Sequence, residues 1–190
     1  MFSDLLSTLH FGYIFVAAIF FLAGIYSAPH AAEKQINWLF AYPRWVLIIM
    51  NRFIEKRWGF FPLFLVIFSL NNLSLFSGLL SGYLIVLPLV ISFFTGFHVA
   101  AISYELEGWK GVWQTLVNPI AWLEFPAAWI SFGMGLKLSV AILLNKNWAA
   151  ASSQLSLLLP LYLKYCIGLL LIAGLLESAL IVLARKLDEK

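Results

Sequence analysis

The chain has 190 residues, 63% of them hydrophobic and 11% charged, with a formal charge of +3 and a mean hydropathy of +0.93. A water-soluble domain carries about a quarter charged residues, so this composition excludes folding in water and makes lipid the solvent. The positive charge is no nucleic-acid signature, because the basic residues are few and stand beside apolar runs, where lipid headgroups are the natural partner.

Only Asp4 and His10 precede the first apolar run, and no positive n-region is present. Residues 11–28 therefore read as an uncleaved first span rather than a removable signal. The segment 30–57 that follows faces water. From Arg44 onward, polar residues recur at 44, 51, 52, 55 and 56, with Trp45, Val46, Leu47, Ile49, Met50, Phe53 and Ile54 between them. That spacing predicts an amphipathic helix opened by Pro43, with a narrow basic stripe of Arg44, Arg52, Lys56 and Arg57. Such a helix lies at the cytoplasmic interface as a topology anchor or, alternatively, docks a partner.

Residues 58–76 and 79–104 form the second and third spans, parted only by a Ser/Gly patch that predicts a tight hairpin. Gly78 and Gly82 make a Gly-x-x-x-Gly pair across that patch, suited to close helix approach or to the loop itself. Asn71 and Asn72 suit hydrogen bonding between helices, and the glycosylation-like Asn72-Leu73-Ser74 is discounted because it sits in a membrane run. Runs 115–144 and 155–184 exceed the ~20 residues that cross a bilayer, so each must tilt, kink or protrude. Gly133 and Gly135 allow packing or bending in the fourth run, and Cys166 stands alone, which excludes an internal disulfide. The fold class expected is all-α: one polytopic helical membrane bundle over 1–190, with five transmembrane helices and an interfacial amphipathic helix.

With five spans, Lys34, Arg44, Arg52, Lys56, Arg57, Lys110, Arg185, Lys186 and Lys190 fall on one side, with Lys146 opposite. The positive-inside rule then puts the N-terminus outside and the C-terminus in the cytoplasm of a multi-pass cell-membrane protein.

Glu124 and Glu177 lie inside the last two runs, where a carboxylate costs at least ~2.5 kcal/mol on insertion scales unless it is partnered or used. At ~1.5 Å per residue, Glu124, Glu177 and His98 come out ~10, ~12 and ~9 Å from the cytoplasmic end of their spans. If they meet, both carboxylates cannot be charged cheaply; one keeps a proton that His98 can relay. The alternative is that each acid hydrogen-bonds backbone or serine and fixes helix packing. Asn118, Pro119 and Pro126 bracket Glu124 with two missing donors, which predicts a kinked or re-entrant stretch. Lys137 and Lys164 fall in the outer half, too far from either acid to pair, where they can snorkel. No HExxH, GxSxG, P-loop or Rossmann fingerprint is present, so neither an enzyme nor a cofactor nor a metal is expected.

Pro119-Ile120-Ala121-Trp122-Leu123-Glu124-Phe125-Pro126-Ala127 resembles the Pro-His-Gly-x-x-Glu-Leu-Pro-Ala motif of the stage II sporulation protein M family. The likeness continues through Gly133-Met134-Gly135-Leu136 and Ala173-Gly174-Leu175-Leu176-Glu177, with Asn71-Asn72 and Thr95-Gly96 resembling positions on earlier spans. It covers roughly 61–185, and the family's His-Gly pair is replaced by Ile120-Ala121. In endospore formers, relatives act as membrane scaffolds with peptidoglycan-degrading proteins during engulfment, and many others occur in organisms that do not sporulate. What the resemblance implies here is a non-enzymatic scaffold or subunit of a membrane complex, working with other membrane or cell-envelope proteins. A homo-oligomer is compatible with it. The buried carboxylates support an alternative, a small permease subunit with a proton or cation path.

Overall fold

In lipid every backbone polar group must bond within its own segment, which leaves helices as the structure for these apolar runs. The computed structural model describes residues 3–55 and 58–188, with the side chains of 3, 50–55 and 188 outside that description. Among the described residues there is no strand, and the chain is all-α. The helices are α1 (Ser3–Leu9), α2 (Phe11–Glu33), α3 (Ala41–Glu55), α4 (Phe60–Leu80), α5 (Leu87–Val117), α6 (Ala121–Asn145), α7 (Trp148–Leu161) and α8 (Ile167–Asp188). A 3-10 turn at Asn37–Phe40 leads into α3, another at Ser81–Leu84 follows α4, and a π turn at Tyr162–Cys166 joins α7 to α8. Five stretches are long and apolar enough to cross a membrane: Phe11–Glu33, Phe60–Leu84, Leu87–Val117, Ala121–Asn145 and Trp148–Leu187.

Close contacts fix the directions. Ser92 donates to the Ala17 carbonyl, and Gly96 abuts the Phe21 carbonyl, so α2 and α5 run parallel. Asn71 meets Glu124, Ser131 meets Leu75 and Ser139 meets Gly82, so α4 and α6 run parallel too. Phe21 touches Phe125, while Gly133 abuts Tyr13 and Ile14, which sets α6 antiparallel to α2. Arg185 donates to the Trp58 carbonyl and Tyr162 to Asn72, which sets α8 antiparallel to α4. Lys34, Arg44, Lys110, Arg185 and Lys186 thus belong to one end of the bundle, and Lys146 to the other.

α6 is the central helix: 67% of its apolar window is buried, against 22–33% for the other spans. Small residues let it sit there. Gly133 faces the α2 backbone, and Gly135 faces the Gly78 carbonyl. Gly78 and Gly82 lie under Phe132 and beside Gly135 and Leu138, so the pair seats α4 on α6. The pair straddles the end of α4: Gly78 lies within the helix, which continues to Leu80, and Gly82 lies in the Ser81–Leu84 turn, after which the chain reverses at Ile85 with φ 47°.

The third and fourth spans depart most from expectation. A helix to 104, a loop and a span from 115 with a kinked or re-entrant stretch around Asn118–Pro126 were expected; instead the helix of α5 runs on to Gly108, whose φ of 61° and ψ of −148° break it. Beyond it, residues 109–117 fold back along the helix they came from. Gly111 packs on the Ser103 carbonyl, and the Ser103 and Thr115 hydroxyls stand 2.7 Å apart. The fourth crossing is therefore made of two pieces, the returning arm and α6. Backbone near φ +60° with extended ψ is open essentially to glycine alone. Gly108→Ala meets no neighbour within 4 Å, so its cost is backbone strain only, and a loss of about 1–3 kcal/mol is expected in detergent unfolding.

α1, absent from the sequence reading, closes the opposite end. Leu5 and Leu9 are buried in the core, and Lys137 donates to the Thr8 carbonyl. Lys164 pairs with Asp4 at 2.6 Å while Tyr165 donates to the other oxygen of that carboxylate. The two lysines expected to snorkel instead hold α1. The Lys164 ammonium lowers the Asp4 carboxyl from 3.8 to about 2. A depressed carboxyl stabilises docking above its unfolded value and loses that contribution as pH falls through the folded one. Hydrogen-exchange protection of α1, taken relative to the intrinsic rate at each pH, should hold from neutral pH down to about 4 and fall towards pH 2; Asp4→Asn should be weakly protected throughout.

The remaining long helix is over-length for a reason. Between Lys164 and Arg185 it runs ~32 Å, the thickness of a hydrocarbon core, and α7 extends past that length. There Tyr83 stacks on Trp148 and its hydroxyl meets Ser152 at 3.1 Å, pinning α7 beside the Ser81–Leu84 turn.

Candidate functional site

The break between the returning arm and α6 is built by Asn118-Pro119-Ile120. The Asn118 side chain accepts from the Ile120 N–H at 2.9 Å, and its carbonyl accepts from Trp122, so the turn is capped by its own residue. Pro119 sits in the turn, while Pro126 is accommodated inside α6. Of the two prolines expected to disrupt the helix, Pro119 lies at the break; α6 has only just begun at Pro126.

This break sets Glu124 in the first turn of α6, level with the middle of α2 through the Phe21–Phe125 contact at 5.0 Å. Its Oε1 accepts a hydrogen bond from the Asn71 side-chain amide of α4 at 2.7 Å. Beside it lies a cavity of about 100 Å³ lined by Asn71, Ser74, Thr95, Val99, Glu124 and Leu170, among others. At ~30 Å³ per water, that space suits a few waters or a small cation and is too small for an organic substrate. The polar lining comes from three helices: Asn71 and Ser74 from α4, Thr95 from α5 and Glu124 from α6.

Asn72 faces the other way. Its side-chain oxygen accepts from the Tyr162 hydroxyl at 2.7 Å, and its carbonyl accepts from the same group at 3.1 Å. Both asparagines therefore join helices, as their position in the second run predicts. Cys166 is buried beside the Ala127 carbonyl at 3.5 Å.

Glu177 stands on α8 and forms no hydrogen bond with Glu124, whose Oε1 accepts from Asn71. It has no hydrogen-bond or ion-pair partner among the described residues, so the backbone or serine partner weighed for it is not there. His98 is not brought to the carboxylates. Its ring packs on Tyr42 at 4.6 Å and on Phe94 at 5.9 Å, and Tyr42 comes from α3. One turn of α5 presents Thr95 and Val99 to the Glu124 cavity while His98, between them, points elsewhere. Shared depth placed the three groups together in sequence; helix rotation separates them. Among the described residues no three His, Cys, Asp or Glu side chains gather as metal ligands.

The interfacial stripe is visible only at its start. Arg44 pairs with Glu105 of α5 at 2.7 Å and lies over the Phe40 ring. Lys56 and Arg57 fall outside the described residues, as does the Arg52 side chain. Sequence reasoning missed Ser74 as a lining residue, and it missed Glu105 altogether. A helix rotation registered by Gly96 against Phe21 would have been needed to find them.

No protein-family model, no curated protein and no solved structure matches the chain.

Proposed function

We propose that the chain is a non-enzymatic integral membrane protein of the stage II sporulation protein M type, serving as a scaffold or subunit of a cell-membrane complex. The observation that carries this reading is that several residues of the likeness, spread over several helices, form joints between them. Asn71 bonds Glu124, Thr95 lines the same cavity, and Gly133 and Gly135 seat α6 on its neighbours. Polar groups used between helices give a rigid bundle. Its flanks carry exposed Phe15, Ile19, Leu175, Leu176 and Leu180, a surface for lipid, for other membrane or cell-envelope proteins, or for a second copy. The concentration of Lys and Arg at the end formed by α3 and the C-terminus of α8 supports a cytoplasmic C-terminus and an external N-terminus.

The cavity favours a second reading, a small permease subunit with a proton or cation path. A broken helix beside an intramembrane acid is an arrangement that transporters use to bind ions. One experiment separates the two: tagged affinity capture at native expression, with wild type and the Glu124→Gln/Glu177→Gln variant compared. The amides keep size and most hydrogen bonding while abolishing titration. A stoichiometric partner held equally by both proteins is the expected result. Absence of any partner, together with proton or cation flux in proteoliposomes that the variant loses, would overturn the scaffold in favour of the permease.

A further inference from the structure

A second cavity, of about 300 Å³, opens at the basic end of the bundle, remote from Glu124. Its walls are the connection from α2 to α3 on one side and the end of the first part of α5 on the other. Gln35, with φ of 54°, turns the chain there so that residues 35–37 face Tyr104 and Glu105 across the opening. Five polar side chains converge on it: Gln35, Asn37, Arg44, Tyr104 and Glu105, with Phe40 as an apolar floor.

The charges in this cavity are only half used. Arg44 directs both Nε and Nη2 at one oxygen of Glu105, each at 2.7 Å. That leaves the guanidinium Nη1 and the second carboxylate oxygen without a partner among the described residues, and both residues line the opening. The Gln35 and Asn37 amides and the Tyr104 hydroxyl form no hydrogen bond among the described residues. A ligand held here meets donors for an anionic oxygen (Nη1, two amides and a phenol) beside an acceptor for a cation. An anion alone would be repelled by Glu105, and a cation alone by Arg44. A group bearing both signs a few ångströms apart satisfies both.

We propose that this cavity binds the headgroup of a zwitterionic aminophospholipid, its phosphate on Arg44 and its primary ammonium on Glu105. The location fits a lipid rather than a solute. Cavity and amphipathic α3 share the end of the bundle where Trp38, Tyr42, Trp45 and Trp109 are exposed, as interfacial aromatic residues are. The headgroup reaches the pair from the membrane plane, with its acyl chains remaining among the exposed apolar side chains.

The test is native mass spectrometry of the full chain released from detergent after mixing with phosphatidylethanolamine, phosphatidylcholine or phosphatidylglycerol. The wild type should retain one phosphatidylethanolamine preferentially. Arg44→Gln and Glu105→Gln should each lower that occupancy about tenfold, the effect of losing one charge-assisted hydrogen bond. Glu105→Gln should also raise retention of phosphatidylglycerol, because the repelling carboxylate is gone. Exposed ion pairs contribute little to folding, so both variants should fold. Should either fail to, soluble O-phosphoethanolamine should displace the lipid from the wild type, and that suffices as support. Equal retention of the three lipids by wild type, or retention unchanged by both substitutions, would overturn the proposal. So would binding of O-phosphoethanolamine by a protein that retains no lipid, since the ligand would then be a solute.

Discussion

Alanine at Gly96 is expected to cost the bundle about 3 kcal/mol or more, a large effect for a single methyl group. A Cβ there would overlap the Phe21 carbonyl, and a Cβ at the reciprocal position, Gly24, would overlap the Phe93 carbonyl and stand 2.8 Å from the Phe97 nitrogen. Both obstacles are backbone, so no rotamer change relieves them; α2 and α5 would have to part along their whole contact. Ser92, whose hydroxyl reaches the Ala17 carbonyl at 2.7 Å, would lose its partner in the same movement. Gly12→Ala is the control, because nothing lies within 4 Å of its Cβ and alanine is the better helix former. Thermal unfolding in detergent should place Gly96→Ala at least ~6 °C below wild type, with Gly12→Ala level with it or above. Equal midpoints for the two variants would mean that the α2–α5 crossing is looser than its geometry implies.

The second large effect concerns the joint at Glu124. Asn71→Leu removes the hydrogen-bond donor to a carboxyl group that is enclosed by α4, α5 and α8. Leaving one buried partner unsatisfied costs the desolvation of that group, about 2 kcal/mol, whereas replacing both partners by apolar groups of similar shape is close to neutral. Asn71→Leu should therefore be destabilised and Asn71→Leu/Glu124→Leu restored, both read from the unfolding midpoint in detergent. Glu124→Gln alone retains an acceptor for Asn71 and should unfold near wild type. If the double leucine variant is no more stable than Asn71→Leu, then the hydrogen bond is not what makes Asn71 matter. Function divides along a different line: the restored double variant lacks the acid, so a role that requires a titrating Glu124 stays lost while a purely structural role returns.

Five membrane spans, their order and the charge asymmetry between the two ends were legible in the sequence, because each depends on properties that add along the chain. Apolar length sets whether a run can cross, and a helix is the only way for such a run to satisfy its backbone in lipid. The helix break at Asn118-Pro119 was legible for a similar reason, since proline removes a donor wherever it stands. Asn71 and Asn72 read as joints between helices, because a neutral amide in an apolar run needs a partner. What the sequence left open was which partner.

Tertiary structure alone decided the rest, and the reason is rotation. Depth along a helix follows from counting residues, so Glu124, Glu177 and His98 shared a level; which way each side points follows from how neighbouring helices pack. The α2–α5 crossing at Gly24 and Gly96 turns Thr95 and Val99 towards Glu124 and His98 towards Tyr42 of α3. Gly108 looks like any glycine in sequence; only its φ of 61° turns the chain back and makes the fourth crossing from two pieces. Lys137 and Lys164 read as snorkelling cations until α1 supplies the Thr8 carbonyl and the Asp4 carboxylate that hold them. Composition and periodicity determined the class, the number of candidate spans and the charge asymmetry of this protein. The pairing of its polar residues required the angles between helices, which small residues at a few crossings set and no one-dimensional pattern records.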